Sequence, residues 1–148
     1  VANLVPINEP DGKSHGTSAA MEFAVKHLNV KHIIVLGHSQ CGGIKTLMEG
    51  EHFSSEYSFV DPWVGIAENA RLSVNKKHKD MSFEEKCSNC EKLSIKHSLN
   101  NLMTFPWIKE KCESGELKIH GWYFDIKTGA LLGQQSGEFI PVGELIPK

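Results

Sequence analysis

A chain of 148 residues, 40% of them hydrophobic, is long enough to bury one sizeable core and too short to suggest two, so a single soluble globular domain is expected. A formal charge of −2, with Lys and Arg dispersed among Asp and Glu, excludes the sustained positive field that a phosphate backbone requires. No apolar run approaches the roughly 20 residues of a membrane-spanning helix, so neither nucleic acid nor membrane is an expected partner.

The longest basic cluster, Lys76-Lys77-His78-Lys79, reads as the solvated end of a helix. Four cysteines (Cys41, Cys87, Cys90, Cys112) are too few for a dense disulfide framework in a chain of this size. Reduced thiols in a cytoplasmic compartment are expected. The chain opens Val1-Ala2-Asn3, without an initiator Met or a signal-peptide pattern, so no targeting segment is recognisable.

In chain order, a short extended stretch "NLVPI" leads into the loop "NEPDGKSHG", where Pro10, Asp11, Gly12 and Gly16 are breakers. A helix follows, with Ala20, Phe23, Ala24 and Leu28 on one apolar face and Thr17 or Ser18 as its cap. The run "HIIVL" is continuously apolar and β-branched, the pattern of a strand covered on both faces as in a parallel sheet. A Gly-bounded loop and the helix "GGIKTLMEG" complete a βα unit, whose ligand sites lie at the carboxyl ends of strands.

Trp63, Ile66, Ala67, Ala70 and Val74 mark an amphipathic helix with Asp61 as cap and Pro62 at its first position. A longer helix then carries Phe83, Cys87, Cys90, Leu99, Leu102 and Met103 up to Pro106, which breaks or restarts it. "PWIKEKCESG" ends at Gly115, a left-handed cap. "LKIHGWYFDIKTGALLGQ" reads as two strands joined by a turn, a hairpin at one edge of the sheet, with the Trp122, Tyr123 and Phe124 cluster as its core face.

His38 and Cys41, in "GHSQCGG" directly after the strand, are the sharpest chemical signal, since imidazole nitrogen and thiolate sulfur both bind zinc. With 8 His and 4 Cys in the chain, such a spacing arises by chance in roughly one chain of five, so spacing alone decides little. Position adds more: two glycines open a helix whose N-terminal N–H groups and dipole favour an anionic sulfur. The alternative is a buried His and an inert Cys in a turn. His15, His52, His97 or His120 are candidates to complete a site with His38. Cys87 and Cys90 form a CxxC on one helical face and read better as small buried hydrophobes, though a zinc or redox module with His38 and Cys41 stays open.

Several stretches together resemble the β-class carbonic anhydrases, especially their plant-like branch: "VANLVP", "AMEFAVKHLNVKHIIVLGHSQCGGIKTLM", "CSNCEK", "HSLNNLMTFPWI" and "HGWYFDIKTGALL". They run in order over nearly the whole chain, and GHSxCGGIK is the most specific. The resemblance implies an α/β fold, a mainly parallel sheet flanked by helices with a C-terminal edge hairpin, in a single domain over 1–148 that is incomplete at its N-terminus. It implies a lyase that hydrates CO2 to bicarbonate and a proton with hydroxide generated at Zn2+, working as a homodimer or higher oligomer. The metal would be held by two Cys and one His, and His38 and Cys41 match two of those ligands.

The remaining Cys belongs to a CxDSR motif whose Asp and Arg pair beside the metal. No such motif occurs in these 148 residues, so the resemblance places it before Val1 and assigns no catalytic residue within the chain. Gly42 and Gly43 match the loop behind the metal, while Val1 and Phe23 match apolar positions that line the CO2 pocket. Phe23 stands where plant-like relatives commonly carry Tyr, and Phe124 where bicarbonate-inhibited members carry Tyr. Cys87 and Cys90 match a CxxCE stretch recurrent in the plant-like branch. With two of three ligands, the 148-residue chain is expected to hydrate CO2 little or not at all. A non-catalytic piece that keeps only the fold and oligomer surface is the alternative, as is CS2 or COS hydrolysis at the same kind of site.

Overall fold

The computed structural model describes residues 1–50 and 58–145. Its four-stranded sheet has the order β1-β2-β3-β4, with strands β1 His32–His38, β2 Lys118–Phe124, β3 Leu131–Gln135 and β4 Glu138–Pro141. β1 and β2 run parallel in the register His32↔Lys118 to His38↔Phe124, and β2–β3 and β3–β4 are antiparallel. The fold is therefore α/β as expected. Among the described residues the β1–β2 pairing is parallel and helices flank it, and the antiparallel C-terminal hairpin gains a further strand at Glu138–Pro141, a segment too short to stand out in the sequence.

Among the described residues six α-helices accompany the sheet: α1 Gly16–Glu22, α2 Gly42–Glu49, α3 Val60–Val64, α4 Glu68–Lys77, α5 Phe83–Leu102 and α6 Pro106–Glu113. The 20-residue α5 starts at a capping box, in which the Ser82 hydroxyl accepts from the Glu85 N–H and the Glu85 carboxylate accepts from the Ser82 N–H. Pro106 restarts the chain as the first residue of α6, and Gly115 follows that helix with φ +79°, both as the sequence indicates.

Helix α5 belongs to two cores. Cys90 packs with Ile44, Leu47, Met48, Val64, Ala67, Ala70 and Val74 of α2 to α4 and the segment between α3 and α4. Ile95 and Leu102 pack with Val35 and Tyr123 of the sheet and with Phe105, Ile108 and Leu117. Contact with the sheet is close: a Cβ on Gly37 would lie 2.7 Å from Ile95 Cδ1, and one on Gly121 2.8 Å from Ile95 Cγ2. Neither strand tolerates a side chain there.

Four local expectations are corrected. His15 stands at the N-cap position of the first helix without a side-chain cap bond, and Thr17 and Ser18 lie inside the helix. It continues into a π-helical turn at Phe23–His27, and this wider turn rotates the apolar phase, so Val25 is buried while Phe23 is 56% and Leu28 63% exposed. Second, the helix assigned to Trp63 onward begins at Val60 and is interrupted by a 3₁₀ turn at Gly65–Ala67, so Asp61 and Pro62 lie within its first turn. Third, among the described residues β1 is covered on one face. Ile34 and Leu36 are exposed, because the described helices that reach β1 lie on the Val35 side. Fourth, strand alternation splits the aromatic cluster: Tyr123 enters the core, and Phe124 faces out.

Candidate functional site

His38 closes β1 and Cys41 is the residue before α2, so the four-residue loop 38–41 sits at the carboxyl end of the sheet. The loop is fixed from three sides. The Ser39 N–H donates to the Phe124 carbonyl at 2.9 Å, extending the β1–β2 ladder by one rung. The Ser39 hydroxyl accepts from the Ile126 N–H at 2.9 Å and donates to Asp125 Oδ1 at 3.3 Å. Asp125 also accepts the Lys127 N–H at 2.9 Å, and that backbone donor, first among its partners, holds the carboxyl below the usual carboxylate range. One carboxylate thus ties the β2–β3 turn to the loop.

The third side is the buried Glu91, 3% exposed on α5. Its Oε1 accepts the Cys41 N–H at 2.9 Å, and its Oε2 accepts the Tyr123 hydroxyl at 2.7 Å. Burial first, and then the bond to Glu91, push the Tyr123 phenol above its ordinary range, so it remains a neutral donor. Between the two candidate ligands Gln40 takes φ +59°, a left-handed conformation that turns the chain from strand into helix.

His38 Nδ1 lies 2.8 Å from the Ser39 carbonyl. A carbonyl only accepts, so Nδ1 carries the proton and Nε2 keeps its lone pair for a ligand. Cys41 is 5% exposed and belongs to the core beneath α2. An imidazole with one free nitrogen and a sulfur at a helix N-terminus fit two positions in the donor set of a Cys/His zinc site. Among the described residues no group of three His, Cys, Asp or Glu could hold a metal together.

Among the described residues, the other candidate histidines do not join His38. His15 Nε2 lies 2.6 Å from Asp11 Oδ1, a contact that draws the Asp11 carboxyl down to about 2. His120 Nε2 lies 2.9 Å from His32 Nδ1 across β1 and β2. His97, its pKa lowered by burial, lies on α5, and His52 falls outside the described residues. Cys87 and Cys90 pack into the α2–α5 core, where burial pushes the Cys90 thiol up to about 12 and raises that of Cys87. All four cysteines are free.

Of the apolar positions singled out in the sequence, Val1 meets the loop: its Cγ1 lies 2.9 Å from where a Cβ on Gly43 would stand, and its carbonyl accepts the Trp63 indole N–H. Gly42 has open space around it. Phe23 is exposed on the π turn with its ring against His27. Sequence reading missed Glu91, Tyr123, Ser39 and Asp125. Glu91, Ser94 and Ser98 do share one face of α5 at helical spacing, and that polar stripe among buried apolar residues was the available signal.

A family model described as "Carbonic anhydrase" matches residues 1–131. The chain is 44% identical over 125 residues to beta carbonic anhydrase 5, chloroplastic, of Arabidopsis thaliana, covering 84% of this chain and 41% of that protein. It is also 44% identical over 133 residues to the mitochondrial beta carbonic anhydrase 6 of the same plant, covering 88% of this chain and 45% of that protein. The chain thus spans less than half the length of these two relatives. Among solved structures, the beta-carbonic anhydrase CcaA superposes with a TM-score of 0.84 at 28% identity, covering 93% of this chain and 62% of that one. A structure of tetrameric beta-carbonic anhydrases from the ascomycete Sordaria macrospora gives 0.73 at 27% identity, covering 90% and 65%.

Proposed function

Because the chain belongs to the β-class carbonic anhydrases, we propose that it serves the zinc-dependent, reversible hydration of CO2 to bicarbonate and a proton, with His38 and Cys41 as two of the metal's protein ligands. The observation that carries this reading is the 38–41 loop, which presents one free imidazole nitrogen and the sulfur of the residue before α2 on a backbone fixed from three sides. Zinc, when bound, supplies the Lewis acidity that makes hydroxide available near neutral pH.

The chain's own contribution is positional. The Ser39 carbonyl selects the His38 tautomer, Gln40 turns the backbone, and Glu91 holds the Cys41 amide. Val1, Gly42 and Gly43 are proposed to form the wall on which CO2 rests; the open space at Gly42 supports this, with Val1 Cγ1 filling the position a side chain on Gly43 would take. Phe23, exposed here, is proposed to act at the pocket from a subunit interface.

A homodimer or higher oligomer is proposed. Exposed Ile34, Leu36, Phe124 and Ile126 support a covered sheet face and hairpin. The single domain is taken to be completed by residues outside this sequence. A thiol-reducing compartment, the cytoplasm among them, suits the four free cysteines, while organellar names belong to the relatives. CS2 and COS remain competing substrates for the same site.

Two ligands among the described residues are fewer than a stable site requires, so the 148-residue chain alone is proposed to hydrate CO2 slowly or not at all. Stopped-flow hydration with a pH indicator tests both parts. Turnover should be absent or slight in this chain and should appear in a polypeptide that also carries a CxDSR segment. Turnover typical of a complete zinc enzyme in the 148-residue chain would overturn the two-ligand account.

A further inference from the structure

We propose that Glu91 and Tyr123 together are positioning residues for the metal loop, setting the orientation of Cys41 through its backbone amide. The proposal rests on the zinc reading of His38 and Cys41 and deepens it. Glu91 is a carboxylate 3% exposed in a 20-residue helix, and neither of its oxygens meets a cation in the described ion pairs.

A buried carboxylate without a counter-charge is costly unless hydrogen bonds occupy its oxygens. Here both are occupied, and by donors from two other parts of the chain: Oε1 by the Cys41 N–H of the loop, Oε2 by the hydroxyl of Tyr123 on β2. The Cys41 N–H belongs to the residue before α2, and no bond within the helix can serve it. Glu91 therefore supplies the one acceptor that both satisfies that amide and fixes the torsion from which the sulfur projects.

Placement of Glu91 follows from the close approach of α5 to the sheet. Ile95, one turn further along α5, sits against Gly37 and Gly121, and this contact delivers Glu91 to the loop one strand-end away. Outer partners that orient ligands typically alter metal affinity 10- to 100-fold.

The test compares wild type with Glu91→Gln, Glu91→Ala and Tyr123→Phe, and uses Ile108→Ala in the second core as a control for plain destabilisation. Two readouts are taken: hydrogen exchange at the Cys41 amide, which needs no metal, and Co2+ binding by a polypeptide that also carries a CxDSR segment, followed by the sulfur-to-cobalt charge-transfer band. Glu91→Ala should speed Cys41 exchange roughly tenfold or more beyond the control. Its Co2+ affinity should fall about 10- to 100-fold with a shifted band. Glu91→Gln, which keeps an acceptor at Oε1, should restore most of the amide protection, and Tyr123→Phe should fall between.

Exchange and band unchanged in Glu91→Ala relative to Ile108→Ala would overturn the proposal. If Glu91→Ala does not fold, the Gln and Phe variants carry the same comparison. Should a wild-type polypeptide that also carries a CxDSR segment bind no Co2+ while Cys41 exchange responds as stated, the zinc reading fails and the positioning contact stands.

Discussion

Ile95 of α5 occupies the space where a side chain on Gly37 of β1 would begin, with Cδ1 at 2.7 Å and Cγ1 at 2.9 Å from that point. Ile95 is fully buried, so it has nowhere to retreat. Gly37→Ala should therefore destabilise the protein by about 1–3 kcal/mol through overpacking. Ile95→Val, which removes Cδ1, should recover part of that loss in the double variant. Urea denaturation of the two single variants and the double gives the coupling; strict additivity would contradict this account of the contact.

Gln40 holds φ +59° between the candidate ligands. Gln40→Gly should change stability by no more than about 1 kcal/mol, since relief of the left-handed strain offsets glycine's greater unfolded freedom. Gln40→Val places a β-branched side chain in the same conformation and should cost about 1–2 kcal/mol. Equal denaturation midpoints for the two variants would show that the loop does not depend on this torsion.

The Tyr123 phenol is raised above its ordinary value of 10.0 by burial and by Glu91, with Asp125 adding to the effect and a Ser88 hydrogen bond opposing it. A folded-state value above the unfolded one gives stability that is complete below about pH 10 and is lost as pH rises through and beyond it. Denaturation midpoints between pH 7 and 11 should fall more steeply at the alkaline end in wild type than in Tyr123→Phe. Parallel curves would remove Tyr123 as the cause.

Cys87 and Cys90 lie in the core between α2 and α5, and burial pushes the Cys90 thiol up to about 12. Cys87→Ser should leave metal affinity unchanged. A thiol reagent near neutral pH should reach the half-buried Cys87 and Cys112 before Cys90. Loss of metal in Cys87→Ser would revive the four-residue cluster.

These sites differ in how openly the sequence displays them. β1, the loop, α2 and α5 are legible because each rests on a local signal: a β-branched run, paired glycines, and an apolar helical period. The hairpin β2–β3 reads in the same way from its turn residues. Burial of Val25 in place of Phe23 depends on a π turn, which has no simple sequence mark.

The exposed face of β1 carries the pattern of a strand covered on both sides, so its sequence speaks of neighbours beyond the described residues' contacts. The site divides likewise. His38 and Cys41 are visible as donor types at close spacing, whereas Glu91 meets Cys41 across 50 residues and is set by the packing of Ile95 against Gly37 and Gly121.

The central claim is that His38 and Cys41 bind the metal, and zinc-edge X-ray absorption of the zinc-loaded protein tests it most directly. The account predicts a sulfur shell near 2.3 Å and imidazole scattering with nitrogen at about 2.0–2.1 Å. The sulfur shell should weaken in Cys41→Ser, and the imidazole pattern should weaken in His38→Ala. A spectrum that both variants leave unchanged would place the zinc elsewhere and contradict the claim.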